Sequence, residues 1–322
     1  MKKSLFTFIL FISIFSKFSY ANEESAILEE NDPIALFAEN QESAHYNNIL
    51  KSESESNTPK VAKKTIPIIG LALGGGAAKG FAHIGVIKAL EANGIKAQII
   101  TGTSAGSLVG SLYAYGYTPT QLEQIAIQLD PMNLADISFS SSGLIKGERL
   151  QSFVNSKVHN TPLEKLPKRF TAVATDLDSG QSIGFNNGNT GIAVRASCSI
   201  PSIFMPVKMG NHRYVDGGLS APVPVTYARQ AGATFVIAVD ITARPQQGRS
   251  GLLSNVDQTI NIMGVKLLEQ QLKQADVVIA PDTSLLSSFD FKKKDAAVEA
   301  GYNAAMKQMP LIKLKLKNLQ NQ

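Results

Sequence analysis

The segment Gln98–Gly110 limits the possible folds most. It opens as a short apolar run at Ile99-Ile100, passes through Gly102-Thr103-Ser104-Ala105-Gly106, and continues as helix-forming residues towards Tyr115. G-x-S-x-G is the spacing of a strand-to-helix turn so tight that side chains on its flanks would crowd it, hence glycine at 102 and 106. Such a turn holds its central side chain, here Ser104, clear of the sheet and in front of the free N–H groups of the next helix, where developing negative charge is stabilised. Ser104 is therefore a candidate nucleophile. The same short pattern also fits a glycine-rich turn of an α/β protein that does no chemistry.

The surrounding chain repeats the strand-turn-helix unit. Ile66–Leu73 is an apolar run that reads as a buried strand, Gly74-Gly75-Gly76-Ala77-Ala78-Lys79-Gly80 follows, and Phe81, Ile84, Ile87 and Leu90 carry helical spacing up to Asn93-Gly94. Thr118-Pro119-Thr120-Gln121 is a capping box with proline at the first helical position. Further strands are expected at Arg169–Thr175, Gln181–Phe185, Thr234–Asp240 and Asp276–Ala280, with a hairpin at Val207–Val215. Helices are expected at Ala105–Tyr115, Glu148–Val158, Thr190–Ser199, Pro224–Ala231, Val256–Gln274 and Ala296–Met309, and a polar loop at Ser138–Gly143. This order predicts a three-layer α/β/α fold with a mostly parallel central sheet. Leu311–Leu319 alternates leucine with lysine, which fits a solvated edge strand or a membrane-surface contact.

Four segments follow from composition. Residues 1–21 read as a secretory signal peptide: Lys2-Lys3, an apolar run at Leu5–Ser16, and small residues before a cut after Ala21. The run is shorter than the roughly 20 residues of a transmembrane helix. The expectation is an exported protein, periplasmic or secreted. Residues 22–65 carry Ser-Glu-Ser-Glu-Ser at 52–56 and more carboxylates than lysines, and read as a disordered acidic linker. Residues 66–285 are the expected catalytic domain, and 286–322 a C-terminal helix and basic tail packing on it. The net charge of +5 rises once the acidic linker is set aside. That suits an anionic partner such as a phospholipid surface, whereas no aromatic-and-basic interleaving points to nucleic acid.

A serine hydroxyl needs a base. The usual G-x-S-x-G hydrolase orders its triad serine, acid, histidine, but no histidine follows His212. His159 or His212 would have to serve in another order. Among carboxylates, Asp216 ends the short strand Arg213-Tyr214-Val215 and precedes Gly217-Gly218, which would let a neighbouring backbone approach; an Asp-Gly turn uses the same pair. Gly74–Gly80 fails as a P-loop, because Lys79 precedes Gly80 and Phe81 follows, and fails as G-x-G-x-x-G. It fits an oxyanion hole, in which consecutive amides at a strand end hold a negative oxygen. A lone cysteine, Cys198, allows neither an internal disulfide nor a zinc cluster.

Taken in order, the glycine-rich turn (Gly74 to Gly80), Gly102-Thr103-Ser104-Ala105-Gly106 and Asp216-Gly217-Gly218 resemble the motifs of the patatin-like phospholipase family. Leu71–Leu90 and Ala196–Val207 resemble blocks of its bacterial branch, the one similar to neuropathy target esterase. The resemblance implies a patatin-like fold and a serine lipid acyl hydrolase of phospholipase A or lysophospholipase type. Ser104 would attack the ester, Asp216 would take its proton, and Gly75, Gly76 and Ala77 would supply oxyanion donors. Lys79 would orient the turn or meet a phosphate, and no metal or cofactor would be needed. Ala77 stands where the plant-type motif has glycine. Two rivals remain: a lipid- or acyl-binding protein without turnover, and a triad esterase using His159 or His212.

Overall fold

The computed structural model describes residues 66–140, 143–242, 264–283, 286 and 291–321. The expected signal peptide, the acidic linker and the start of the helix expected at Val256 lie outside the described residues.

Apolar runs become strands where turn residues bracket them. The first unit is β1 (Ile69–Leu73), a 3-10 turn at Ala77–Gly80 and α1 (Phe81–Ala92); the second is β2 (Ile99–Thr103) and α2 (Ala105–Tyr115). Then come α3 (Pro119–Gln128), α4 (Pro131–Leu134), β3 (Ile137–Ser140), β4 (Gly143–Ile145) and α5 (Glu148–Lys157). The α3 capping box forms: Gln121 N–H donates to Thr118 Oγ1 and Thr118 N–H to Gln121 Oε1. The middle of the chain holds β5 (Arg169–Asp176), β6 (Ser182–Phe185), α6 (Thr190–Ser197), β7 (Val207–Met209) and β8 (His212–Asp216). It closes with α7 (Val225–Gln230), β9 (Phe235–Val239), α8 (264–272), β10 (Val277–Ile279) and α9 (Lys294–Gln320).

The main sheet runs β10-β9-β1-β2-β5-β8-β7, with β6 also paired to β5. The pairs from β10 to β5 are parallel; β5 with β6, β5 with β8, and β7 with β8 are antiparallel. Strand alternation sends successive side chains to opposite faces. Leu71, Leu73, Phe235, Ile237 and Val239 pack on one face with residues of α1 and α9 such as Ile84, Ile87 and Ile312. Ala72, Val236 and Ala238 pack on the other with Val225 and Ala228 of α7 and Leu268 of α8. The fold is thus α/β with three layers, and each fully buried Leu, Ile or Val side chain contributes about 1.5–3 kcal/mol.

Two expectations fail. The loop expected at Ser138–Gly143 forms parts of β3 and β4, which pair as a separate two-stranded sheet because Leu144 and Ile145 N–H groups find Ile203 O and steady the hairpin. The Leu-Lys stretch is not an edge strand; α9 runs through it to Gln320, past Pro310. Ala305, Met309 and Ile312 are buried and Leu316 and Leu319 pack beside them, a helical spacing that the leucine-lysine alternation masks.

α9 crosses α1 at closest approach through Gly301 and Gly85. A Cβ on Gly301 would lie 1.9 Å from Ala82 O, and one on Gly85 would lie 1.8 Å from Val298 O. Backbone atoms cannot swing aside as a side chain can. Gly301→Ala should therefore cost about 3 kcal/mol or more in a urea titration; an unchanged midpoint would disprove the tight crossing.

Candidate active site

The site is assembled by a single step along β5. β2 occupies one edge, with Thr103 opposite Val173, and β6 occupies the other, opposite Ala172–Thr175. β8 also pairs with Ala174 and Thr175, so it cannot share the edge that β6 holds; it lies on the β2 edge, with Asp216 opposite Ala174. β2 and β8 therefore meet end to end from opposite directions, and the chain leaves them at Ser104 and Asp216. A Cβ on Gly217 would sit 2.2 Å from Val173 O and 3.1 Å from Thr103 Cγ2, which shows how closely the exit from β8 passes the end of β2.

Ser104 has φ 52° and ψ −122°, a conformation side chains rarely adopt, and its side chain is buried at 7 % exposure. The turn closes only with glycine on both flanks: a Cβ on Gly102 would lie 2.4 Å from Gly106 O, and one on Gly106 would lie 2.2 Å from Leu73 O. Ser104 C=O accepts from Ser107 N–H at 2.8 Å and Ser107 Oγ–H at 2.7 Å. Its N–H donates to Ser197 Oγ at 2.9 Å, and Ser197 Oγ–H donates to Val173 O at 2.6 Å.

Asp216 is held by its backbone. Its N–H donates to Ser199 O at 2.8 Å and its C=O accepts from Thr175 Oγ1 at 2.9 Å. Oδ1 accepts from Gly218 N–H at 2.8 Å, while Oδ2 is enclosed without a fully formed hydrogen bond. Burial pushes the carboxyl up to about 6; the Ser104 hydroxyl beside it is the main opposing influence, ahead of the Gly218 N–H. The Cys198 thiol, also close by and 3.7 Å from Ser107 Oγ, is pushed up to about 12, chiefly by burial and then by the Asp216 charge.

The glycine-rich turn lies against this pair: a Cβ on Gly75 would be 3.4 Å from Ser104 Cβ, and one on Gly80 would be 2.6 Å from Ala105 Cβ. Gly74 N–H is taken by Val239 O and Gly75 N–H by Pro222 O, each at 3.0 Å. Gly75 is thereby corrected as an oxyanion donor, because its amide is already spent inside the fold. Gly76 and Ala77 N–H donate to no backbone or side-chain group among the described residues, and neither does Ala105 N–H at the mouth of α2. Nothing in the glycine-rich pattern marks Ala105 as a donor; its place does, since the residue after a nucleophile elbow commonly supplies one. Ala77 sits at φ 48°, in the region that favours the glycine of the plant-type motif. Lys79 is buried, 4 % exposed, and engaged within the fold, which suits it to orient the turn and not to reach a surface phosphate.

Neither histidine of the alternative triad reaches Ser104. His159 lies against Tyr115, ring centroids 5.9 Å apart and the rings tilted by 34°, at the far end of α2 and about 16 Å along the helix from the elbow. His212 opens β8, about 13 Å from Asp216 along the strand, and pairs with Asp176 at 2.7 Å. His83 is fully buried, its Nε2–H donates to Gly74 O at 2.8 Å, and burial lowers its pKa to about 4, so it stays neutral and braces the glycine turn.

Residues 71–229 match the family model described as patatin-like phospholipase. The chain is similar to an uncharacterized NTE family protein of Mycobacterium tuberculosis, 36 % identical over 188 residues, a match covering 56 % of this chain and 51 % of the relative. It is 29 % identical over 231 residues to patatin-like phospholipase domain-containing protein 6 of Mus musculus, covering 68 % of this chain and 16 % of that protein. The chain spans about half the length of the first of these curated relatives. Among solved structures, VipD from Legionella pneumophila shares the fold at a TM-score of 0.54 and 15 % identity, over 76 % of this chain and 66 % of that one.

Proposed function

Residues 71–229 form a patatin-like phospholipase domain, and from that premise we propose that the chain hydrolyses carboxylic esters of lipids through an acyl-serine intermediate, with Ser104 as nucleophile and Asp216 as its base. The single observation that carries this reading is the end-to-end meeting of β2 and β8 at Val173 and Ala174 of β5. It brings a strained serine and a buried carboxylate into contact, with unspent amides alongside.

In the proposed reaction Ser104 Oγ attacks the ester carbonyl carbon and Asp216 Oδ2, the oxygen lacking a full partner, receives the hydroxyl proton. The carbonyl oxygen becomes an oxyanion facing the amides of Gly76, Ala77 and Ala105; one such donor is worth roughly 3 kcal/mol of barrier. The oxyanion collapses, the alcohol leaves with the proton from Asp216, and an acyl-serine remains. Water then attacks the acyl carbon, Asp216 takes its proton, and the fatty acid leaves as Ser104 regains a hydrogen. A base near 6 is a better proton acceptor than an ordinary carboxylate and still ionises at neutral pH. The proposed substrates are phospholipids cut at sn-1 or sn-2, then lysophospholipids and simple acyl esters.

A fluorophosphonate probe tests the reading, and the label should map to Ser104. No labelling of the folded protein would favour a lipid-binding protein without turnover. The pH profile is a second check. Asp216 acts only when ionised, so kcat/KM on a soluble acyl ester should rise with pH through a midpoint near 6 and level off above it. Activity that stays flat down to pH 4 would rule out Asp216 as the base.

A further inference from the structure

We infer that Ser197, a residue that touches no reacting atom, is the positioning residue that keeps Ser104 in its attacking conformation; this rests on the hydrolase reading above. A serine at φ 52° is in an unfavourable backbone conformation that persists only where its surroundings fix it on both sides. On the C-terminal side, α2 does so through the Ser107 bonds to Ser104 C=O. On the N-terminal side β2 has ended, so the Ser104 N–H has no strand partner. Its acceptor is the Ser197 hydroxyl.

That hydroxyl is well suited to the task. Ser197 is fully buried, and its one proton is committed to Val173 O at 2.6 Å, which turns a lone pair towards the Ser104 N–H. Val173 is the β5 residue opposite the last residue of β2. Ser197 thus ties the elbow to the place on the sheet where β2 stops. Two residues on, Ser199 O accepts from Asp216 N–H. The end of α6 therefore grips both members of the pair by their backbones, and of these two contacts that of Ser197 is the one made through a side chain that can be removed.

Without this hydroxyl, the Ser104 peptide is free to turn towards a relaxed conformation, which moves Oγ off the ester carbon. A displacement of about 1 Å at a reacting centre costs on the order of 100-fold in rate. Substrate binding and the ionisation of Asp216 do not pass through Ser197. The test compares wild type with Ser197→Ala and Ser197→Cys, with kcat expressed per fluorophosphonate-titrated site. A variant that merely unfolds a fraction of its molecules leaves that quantity untouched.

The expected order is wild type, then Cys, then Ala, with kcat down by about 10- to 100-fold in Ala, KM unchanged, and the acid limb of the pH profile still near 6. Equal kcat per site in all three would overturn the inference, as would a loss confined to KM. Should the alanine variant not fold, Cys against wild type carries the same comparison, because a sulfur accepts the amide poorly; full activity in Cys then overturns it. The hydrolase reading fails differently: wild type itself would leave Ser104 unlabelled or show no turnover.

Discussion

Replacing Ser104 with alanine should lower acyl-ester kcat by about 10⁴-fold or more and remove fluorophosphonate labelling. The effect is large because in the proposed mechanism every step passes through this oxygen. The amides of Gly76, Ala77 and Ala105 would remain and could still polarise an ester, so a residue of activity above uncatalysed hydrolysis is expected. The fold should hardly notice. Alanine keeps the backbone bonds to Ser197 Oγ and from Ser107, and bears the same unfavourable φ. The midpoint of thermal unfolding should therefore stay close to wild type, and substrate binding by the inert variant can be measured directly. Retention of even a tenth of the wild-type kcat in Ser104→Ala would end the case for a serine nucleophile.

Asp216→Asn should lose activity and gain stability. Asparagine cannot accept the Ser104 proton, so kcat is expected to fall by about 10³-fold or more. The stability change comes from linkage. The folded-state pKa near 6 lies above the unfolded value of about 3.9. Between those values the folded protein holds a proton that the unfolded chain has released. Stability from this group is therefore greatest below about pH 4, declines as pH rises through 6, and stays low above it. A difference of two units corresponds to roughly 3 kcal/mol at neutral pH. Asparagine is neutral throughout: its carbonyl oxygen can keep the Gly218 N–H and its NH₂ can occupy the position of the unpartnered Oδ2. At pH 8 the variant should unfold at a higher urea concentration than wild type, and at pH 4 the two should converge. A variant less stable than wild type at pH 8 would mean that Asp216 is a structural anchor and not a strained base.

Much of this was legible because local chemistry writes it. Gly102 and Gly106 are demanded by a turn that closes within five residues, and the Thr118–Gln121 cap by unpaired amides at one helix end. The serine and the aspartate could be named singly, and the scarcity of histidine pointed away from a triad. What could not be read is whatever depends on a distant partner. The Gly75 amide looks as available as that of Gly76 until Pro222, far along the chain, takes it. Ser197 looks like any buried helical serine until its two partners come in from β2 and β5. Leu311–Leu319 misled for a related reason: the period of two is conspicuous in the letters, while Ile312 and Leu316 are chosen by contact with the rest of the core.

The junction on β5 has a consequence for how such a protein can vary. Because Ser104 and Asp216 are located by neighbouring rungs of one strand, the length of the chain between them is immaterial to their meeting. Insertions in the connections between α2 and β5, or in the hairpin turns after 176, leave both rungs where they are. Loss of one residue inside β5 would instead shift one partner by about 3.3 Å and turn its alternate side chains to the other face. The walls around the pair are therefore free to change in shape, while the eight-residue strand that holds Ser104 and Asp216 in register tolerates almost no change in length.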